Sequence, residues 1–223
     1  MPQADGWLDA TWPRVSERLP APPARVLELG CGTLGGHVPR LRAAGYDAIG
    51  VDPAAPGGAE YRQIEVERYE TARAFDAVVA STSLHHVADP AEVLDRLVGI
   101  LAPGGRVIVI EWDWEAFDEP TAEWAFGRIG PGDGANWLAH HRDAWAASGL
   151  AWSEYLGGWA DEHGIHRVRG LLRLLEERFR LEPPEHGPYL FADLDATTEE
   201  DEQQAIRAGE IRATRVEVAG LRR

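Results

Sequence analysis

The chain has one cysteine, one methionine, no lysine and no apolar run of membrane-spanning length among its 223 residues. A lone thiol, Cys31, excludes an intramolecular disulfide and gives no sign of an oxidising compartment. No segment reaches the roughly 18 to 20 apolar residues of a bilayer span. The opening stretch MPQADGWLDATWPRV lacks the basic and apolar regions of a secretory signal. A soluble, cytoplasmic protein with no membrane partner is therefore expected. Positive charge is also scarce: 22 basic residues, all arginine, stand against 37 acidic ones, for a net charge of -15. Such a field repels the phosphate backbone that nucleic-acid-binding proteins neutralise, so nucleic acid is not an expected partner. The exclusive use of arginine reads as compositional bias.

What is present is an ordinary globular composition, 44% hydrophobic and 26% charged, long enough for one α/β core with an insertion. Trp7, Leu8, Trp12, Val15 and Leu19 recur at near-helical spacing before the breaker PAPPA, which predicts an N-terminal helix and linker over residues 1–23. From residue 24 to 114 strands and helices alternate: RVLELG, DAIGVD, YRQIEVE, FDAVVAS and GGRVIVIEW read as strands, GHVPRLRAAG and DPAEVLDRLVGIL as helices. This alternation predicts a mainly parallel sheet covered on both faces. Asp89, Pro90 and Glu92 predict a capping box at the start of the second of these helices. Residues 115–161 carry Trp124, Trp137, Trp145, Trp152 and Trp159 and two glycine-rich stretches read as turns, GRIGPGDGAN and LGGW; a helical lid is expected there. Residues 162–223 return to a helix, IHRVRGLLRLLEERF, and then a strand near FRLEPP, an acidic helix and a last strand TRVEVAGL.

The stretch VLELGCGTLGG spells G-x-G-x-x-G with Gly30, Gly32 and Gly35, a weak signal for a dinucleotide turn when it stands alone. Glu28 discriminates between ligands. Nicotinamide-binding turns usually carry a small or apolar residue there, whereas a carboxylate suits a ligand with a cationic amino-acid portion. Asp52, ending the next strand, can accept both hydroxyl hydrogens of a ribose. The plainer alternative makes both of them solvent-facing carboxylates at strand ends.

Together, VLELGCGTLGG, AIGVDP and FDAVVASTSLHHVADPAEVLDRLVGILAPGGRVIVIEW resemble the class I S-adenosylmethionine-dependent methyltransferases, in particular the small-molecule branch that includes quinone-biosynthesis enzymes. The resemblance covers roughly Arg25 to Trp112. It implies a Rossmann-like, seven-stranded sheet in the order 3-2-1-4-5-7-6 with the last strand antiparallel, and S-adenosyl-L-methionine as cofactor. It further implies that Glu28, Gly30, Cys31 and Gly32 form the methionine-side loop and that Asp52 and Pro53 contact the ribose. Glu65 and Val66, with Glu67 competing, would contact the adenine, and Ala80, Ser81 and His86 would face the methyl donor. Only 23 residues separate Asp52 from Asp76, too few for the family's usual helix there, so the loop PAAPGGAE is expected to cover the adenine side.

Methyl transfer is an in-line displacement that mainly requires alignment, with a base needed only for a hydroxyl or carbon acid. His85 and His86 are adjacent and cannot both face the site. His86 is the candidate positioner or base, and a hydrogen-bonded structural histidine is the alternative for either. Trp112, Trp114 and His141 are candidate substrate contacts, with the two tryptophans on opposite faces if the strand continues. His163 and His166 have H-x-x-H spacing but no cysteine or carboxylate framework, so no metal is expected. The expected function is methyl transfer to a small, apolar or aromatic acceptor. A non-catalytic S-adenosylmethionine-binding regulator and a protein methyltransferase are the alternatives.

Overall fold

The structure, a computed structural model, describes residues 2–130 and 136–223, with side chains from residue 6. In chain order it contains α1 (Pro2–Arg18), β1 (Arg25–Leu29), α2 (Val38–Ala43), β2 (Asp47–Val51), β3 (Tyr61–Arg62), β4 (Phe75–Ser81), α3 (Pro90–Ile100) and β5 (Leu101–Trp112). There follow α4 (Glu119–Phe126), α5 (Trp137–Ser148), α6 (Trp152–Glu162), α7 (Val168–Arg178), β6 (Phe179–Leu181), β7 (Glu185–Gly187), α8 (Glu199–Ala208) and β8 (Arg215–Arg222).

One sheet runs β3-β2-β1-β4-β5-β8-β6. The first five strands are parallel to one another and β8 is antiparallel to β5. This is the expected order, with β8 as the seventh strand. The small β7, unannounced by any apolar alternation in EHG, shares the outer edge of β8 with β6. The central strands are apolar without alternation because both of their faces are covered. On one face Leu27, Val78 and Val107 pack with Val93, Leu94 and Leu97 of α3 and Leu171 and Leu175 of α7. On the other, Val26, Ala77 and Ile108 pack with Val15 of α1 and Val38 and Leu41 of α2. A third cluster, Trp112, Trp114, Phe117, Leu138, Trp152 and Leu156 among its members, joins the end of β5 to α5 and α6.

Three local expectations need correction. YRQIEVE is strand only at Tyr61–Arg62, because β3 pairs with the last two residues of β2 and β2 ends there; it continues as a 3-10 turn at Val66–Arg68. Asp89 caps α3 by accepting from the backbone N–H groups of Ala91 (2.9 Å) and Glu92 (3.1 Å). Glu92 is exposed and returns no bond among the described residues; the reciprocal box forms at α8, between Thr198 and Asp201. LGGW is not a turn but the middle of α6. Buried Trp152, Leu156 and Ala160, spaced four apart, outweigh the roughly 1 kcal/mol that each glycine costs a helix. The other anticipated turn, GRIGPGDGAN, falls largely on residues 131–135, outside the described residues.

Candidate functional site

The carboxyl ends of the parallel strands β1, β2 and β4 surround a cavity of about 550 Å³. Three stretches line it: Leu29 and Gly30 after β1; Val51, Asp52 and Pro53 after β2, joined by Glu65 to Arg68; and Thr82, Ser83 and His86 to Ala88 after β4. The glycine turn is held close to the β4 loop. Gly30 adopts φ +74°, and a Cβ there would stand 2.2 Å from Ser83 Cβ, so no other residue fits. The Gly30 N–H donates to Val51 O (2.8 Å) and the Ser83 hydroxyl to Leu29 O (3.0 Å), tying three strand ends together. Thr82, with φ 51°, turns the chain out of β4.

Asp52 accepts from the Gly32 N–H at Oδ2 (3.0 Å) and from the Ala54 N–H at Oδ1 (2.7 Å). Each carboxylate oxygen has two lone pairs, so one donor apiece leaves capacity for hydroxyl groups in the cavity. Glu65, Val66 and Glu67 all line the cavity, as do Pro53 and Arg68. Of the loop PAAPGGAE only Pro53 does so, and the 3-10 turn takes the place expected for that loop.

Glu28 does not line the cavity. It is 2% exposed and lies behind the glycine turn, where Oε1 accepts from the His37 N–H (2.9 Å) and meets His37 Nδ1 (3.1 Å) while Oε2 has no hydrogen-bond partner among the described residues. A Cβ on Gly36 would come within 2.3 Å of that Oε1, so the turn is shaped around this carboxylate. Cys31 is buried beneath the turn, its thiol pushed up to about 12 by burial and by the charges of Glu28 and Asp52. Gly32 contributes its N–H to Asp52 rather than a cavity surface. Ala80 and Ser81 sit inside the sheet opposite Val109 and Ile110. The strand turns only after them, so Thr82 and Ser83 reach the cavity in their place.

The two adjacent histidines divide as their neighbours dictate. His86 lines the cavity, its imidazole held below the usual 6.5 by desolvation and by the neighbouring His85. His85 is buried with Nδ1 against Glu111 Oε2, its ring centroid 4.0 Å from that of His86.

Trp112, Trp114 and His141 do not line the cavity; all three are buried among the aromatic residues of α4 to α6. The two tryptophans share that cluster because β5 ends at Trp112 and the chain enters a 3-10 turn at Trp114. His141 Nδ1 meets the Tyr155 hydroxyl at 3.0 Å, its ring packed on Trp159, and burial lowers its pKa from 6.5 to about 4. Trp112 lies 6.4 Å, centroid to centroid, from His85, so the aromatic cluster abuts the pair of histidines beside the cavity. His163 and His166 each engage a backbone carbonyl, of Trp159 and Val87, and no group of three metal-ligating side chains occurs among the described residues.

Sequence reasoning missed Glu111, His37, Ser83 and Arg68. Glu111 had a visible signal, a carboxylate closing the apolar run VIVI at the end of a strand.

A family model described as a methyltransferase domain matches residues 5–137. The demethylmenaquinone methyltransferase of Thermus thermophilus is 33% identical to this chain over a region covering 54% of this chain and 60% of that protein. The tRNA U34 carboxymethyltransferase of Idiomarina loihiensis is 30% identical over 67% of this chain and 50% of that one. The matches thus span three fifths and one half of those relatives' lengths. Among solved structures, an S-adenosylmethionine-dependent methyltransferase from Mesorhizobium loti shares the fold, with TM-score 0.57, 20% identity and coverage of 97% of this chain and 100% of that one.

Proposed function

The chain belongs to the methyltransferase-domain family, and we propose that it is an S-adenosylmethionine-dependent enzyme that methylates a small, apolar or aromatic metabolite. The observation that carries this reading is the cavity after β1, β2 and β4, where a glycine turn and a strand-end aspartate open on one space. Ligands of open α/β sheets bind at that edge.

The residues fit the cofactor. Asp52 retains acceptor capacity for the two ribose hydroxyls, and Pro53 continues the same surface. Val66 offers an apolar surface for a purine ring, and Glu65 and Glu67 beside it offer acceptors for an exocyclic amine. Leu29, Gly30, Thr82 and Ser83 would flank the methionine portion. Glu28 acts from behind, fixing His37 and the shape of the turn rather than touching the ligand. When bound, the cofactor supplies an electrophilic methyl group on a sulfonium.

His86, on the opposite stretch of the same cavity, is placed to position the acceptor or take its proton. The acceptor class follows from what lies next to it. The Trp112 cluster reaches His85, whose ring lies against the cavity's His86, and indole faces suit an apolar or aromatic ring. In this reading α4 to α6 form the lid that selects the acceptor. A charge of -15 favours a small molecule over a polynucleotide.

Calorimetry with S-adenosylmethionine and with NADH tests the cofactor, and tighter binding of NADH would reject the reading. A screen of metabolite extracts for S-adenosylhomocysteine release, with tRNA as a parallel acceptor, tests the rest. Release with tRNA alone would overturn the small-molecule assignment, and binding without release from any acceptor would favour a regulatory role.

A further inference from the structure

Glu111 is buried, 2% exposed, yet takes no part in the cofactor cavity. Its carboxylate is occupied on all sides. Oε1 accepts from the N–H groups of Ser83 (3.1 Å) and Leu84 (2.7 Å), and Oε2 accepts from the Trp112 N–H (3.3 Å) and from His85 Nδ1. A buried charge is tolerated where donors replace its water, and here every donor belongs either to β5 or to the loop that carries His86.

The consequence for His85 is a fixed ring. With Nδ1 directed at the carboxylate, its face lies against His86 at 43° between planes. Its backbone carbonyl accepts from the His166 N–H at 3.0 Å, anchoring the loop from the other side. His86, by contrast, has no side-chain hydrogen bond among the described residues, and its ring is held by this contact and by the turn that supports it.

We propose that Glu111 and His85 form a positioning pair that holds the His86 imidazole at the cavity surface, ready to take a proton from the methyl acceptor. This rests on the proposed methyl transfer. The proton leaves the acceptor's hydroxyl for the imidazole, giving an imidazolium that passes it to solvent. The acceptor oxygen keeps the electron pair with which it would take the methyl group; the carbon–sulfur bond of the sulfonium would break with its electrons left on sulfur, and neutral S-adenosylhomocysteine would leave. An amine or thiolate acceptor would not need the device, so the inference deepens the reading towards hydroxyl-bearing acceptors.

The charges facing His86 are consistent with this role. Burial foremost opposes a second proton on this ring, His85 lying against it adds to that, and Glu111 favours one more weakly. Asp52, Glu65, Glu67 and Arg68 line the same cavity, and His166 Nε2 lies at Val87 O, 2.8 Å away, on the next turn of chain.

The test is an NMR titration of the His86 ring in the unliganded protein, paired with the pH profile of kcat. His85→Gln keeps an N–H donor towards Glu111 but removes the ring that lies against His86. The His86 titration is expected to move up by about half a unit or more, and the acid limb of kcat to move with it. Glu111→Gln keeps an acceptor for the Ser83 and Leu84 N–H groups but uncouples His85. Turnover is expected to fall about tenfold or more with S-adenosylhomocysteine affinity unchanged by calorimetry. An unmoved His86 titration in His85→Gln, or wild-type turnover in Glu111→Gln, would overturn the pair. Failure of the wild-type protein to bind S-adenosylhomocysteine would instead overturn the proposed function, while the titration still reports on the histidines.

Discussion

Acidification is expected to unfold this protein from its aromatic cluster, through His141. In the folded chain burial, with some repulsion from His163 and His140, lowers this imidazole from 6.5 to about 4, so it stays neutral where an unfolded histidine would protonate. Between those two values the unfolded state binds more protons, and stability therefore rises with pH and is lost as pH falls through 6.5 towards 4. One pKa unit corresponds to about 1.4 kcal/mol, so this group alone removes about 2 kcal/mol between pH 7 and 5 and about 3 kcal/mol by pH 4. That is a large share of the 5 to 15 kcal/mol typical of a domain.

Other groups titrate in the same range, and a comparison isolates this one. His141→Asn keeps a polar atom near the Nδ1 position for the Tyr155 hydroxyl but cannot titrate. The variant is expected to be less stable at pH 7, having lost the ring that packs on Trp159 and Trp137. Its urea midpoint should nonetheless fall less steeply with acid, so that the two curves converge by pH 4.5. Parallel curves across the whole range would refute the assignment of a buried neutral imidazole.

Three further outcomes follow from the cavity. Asp52→Ala removes two expected charge-assisted bonds to the ribose, each worth roughly 1.5 to 3 kcal/mol, and should weaken S-adenosylmethionine by at least about a hundredfold in calorimetry; unchanged affinity would remove Asp52 from the site. Gly30→Ala meets both a φ of +74° and Ser83 Cβ at 2.2 Å, whereas Gly32→Ala, at φ +62°, has nothing within 4 Å. The first should lower the melting temperature by several degrees more than the second, and equal shifts would deny the close approach. His86→Ala should lower turnover by roughly 10²- to 10⁴-fold with little change in cofactor affinity if the residue takes a proton; a wild-type rate would leave alignment to the rest of the site.

The parts of the fold legible in the sequence were those dictated by local pattern. RVLEL, DAIGV and FDAVVAS are apolar on both faces because two helical layers cover them, and such runs announce themselves. The order of the strands came from family resemblance, since periodicity alone does not say which edge β8 joins. That Asp52 and His86 line the cavity was legible from their position at strand ends. The direction of Glu28 was not legible, because a carboxylate two residues before a glycine can turn towards the cavity or away from it, and its direction depends on His37, nine residues on. Trp112 and Trp114 would lie on opposite faces only if the strand continued; it stops between them, an ending set by tertiary packing, and both join one cluster. Glu111 escaped notice because its partners, Ser83 to His85, are distant in sequence and meet it only when β4 and β5 pair.

The pairing of β5 with β8 bears on how the protein is made. Trp112 faces Arg215 in the finished sheet, about a hundred residues later in the chain. At the roughly 5 to 20 residues per second of translation, the outer edge of β5, with Val107 to Ile110 unpaired, waits for about 5 to 20 seconds on the ribosome. During that interval the first five strands can assemble, but the sheet presents a bare apolar edge to any other nascent chain. Holdase chaperones should therefore crosslink to ribosome-bound chains stalled after β5 and lose contact once β8 has emerged.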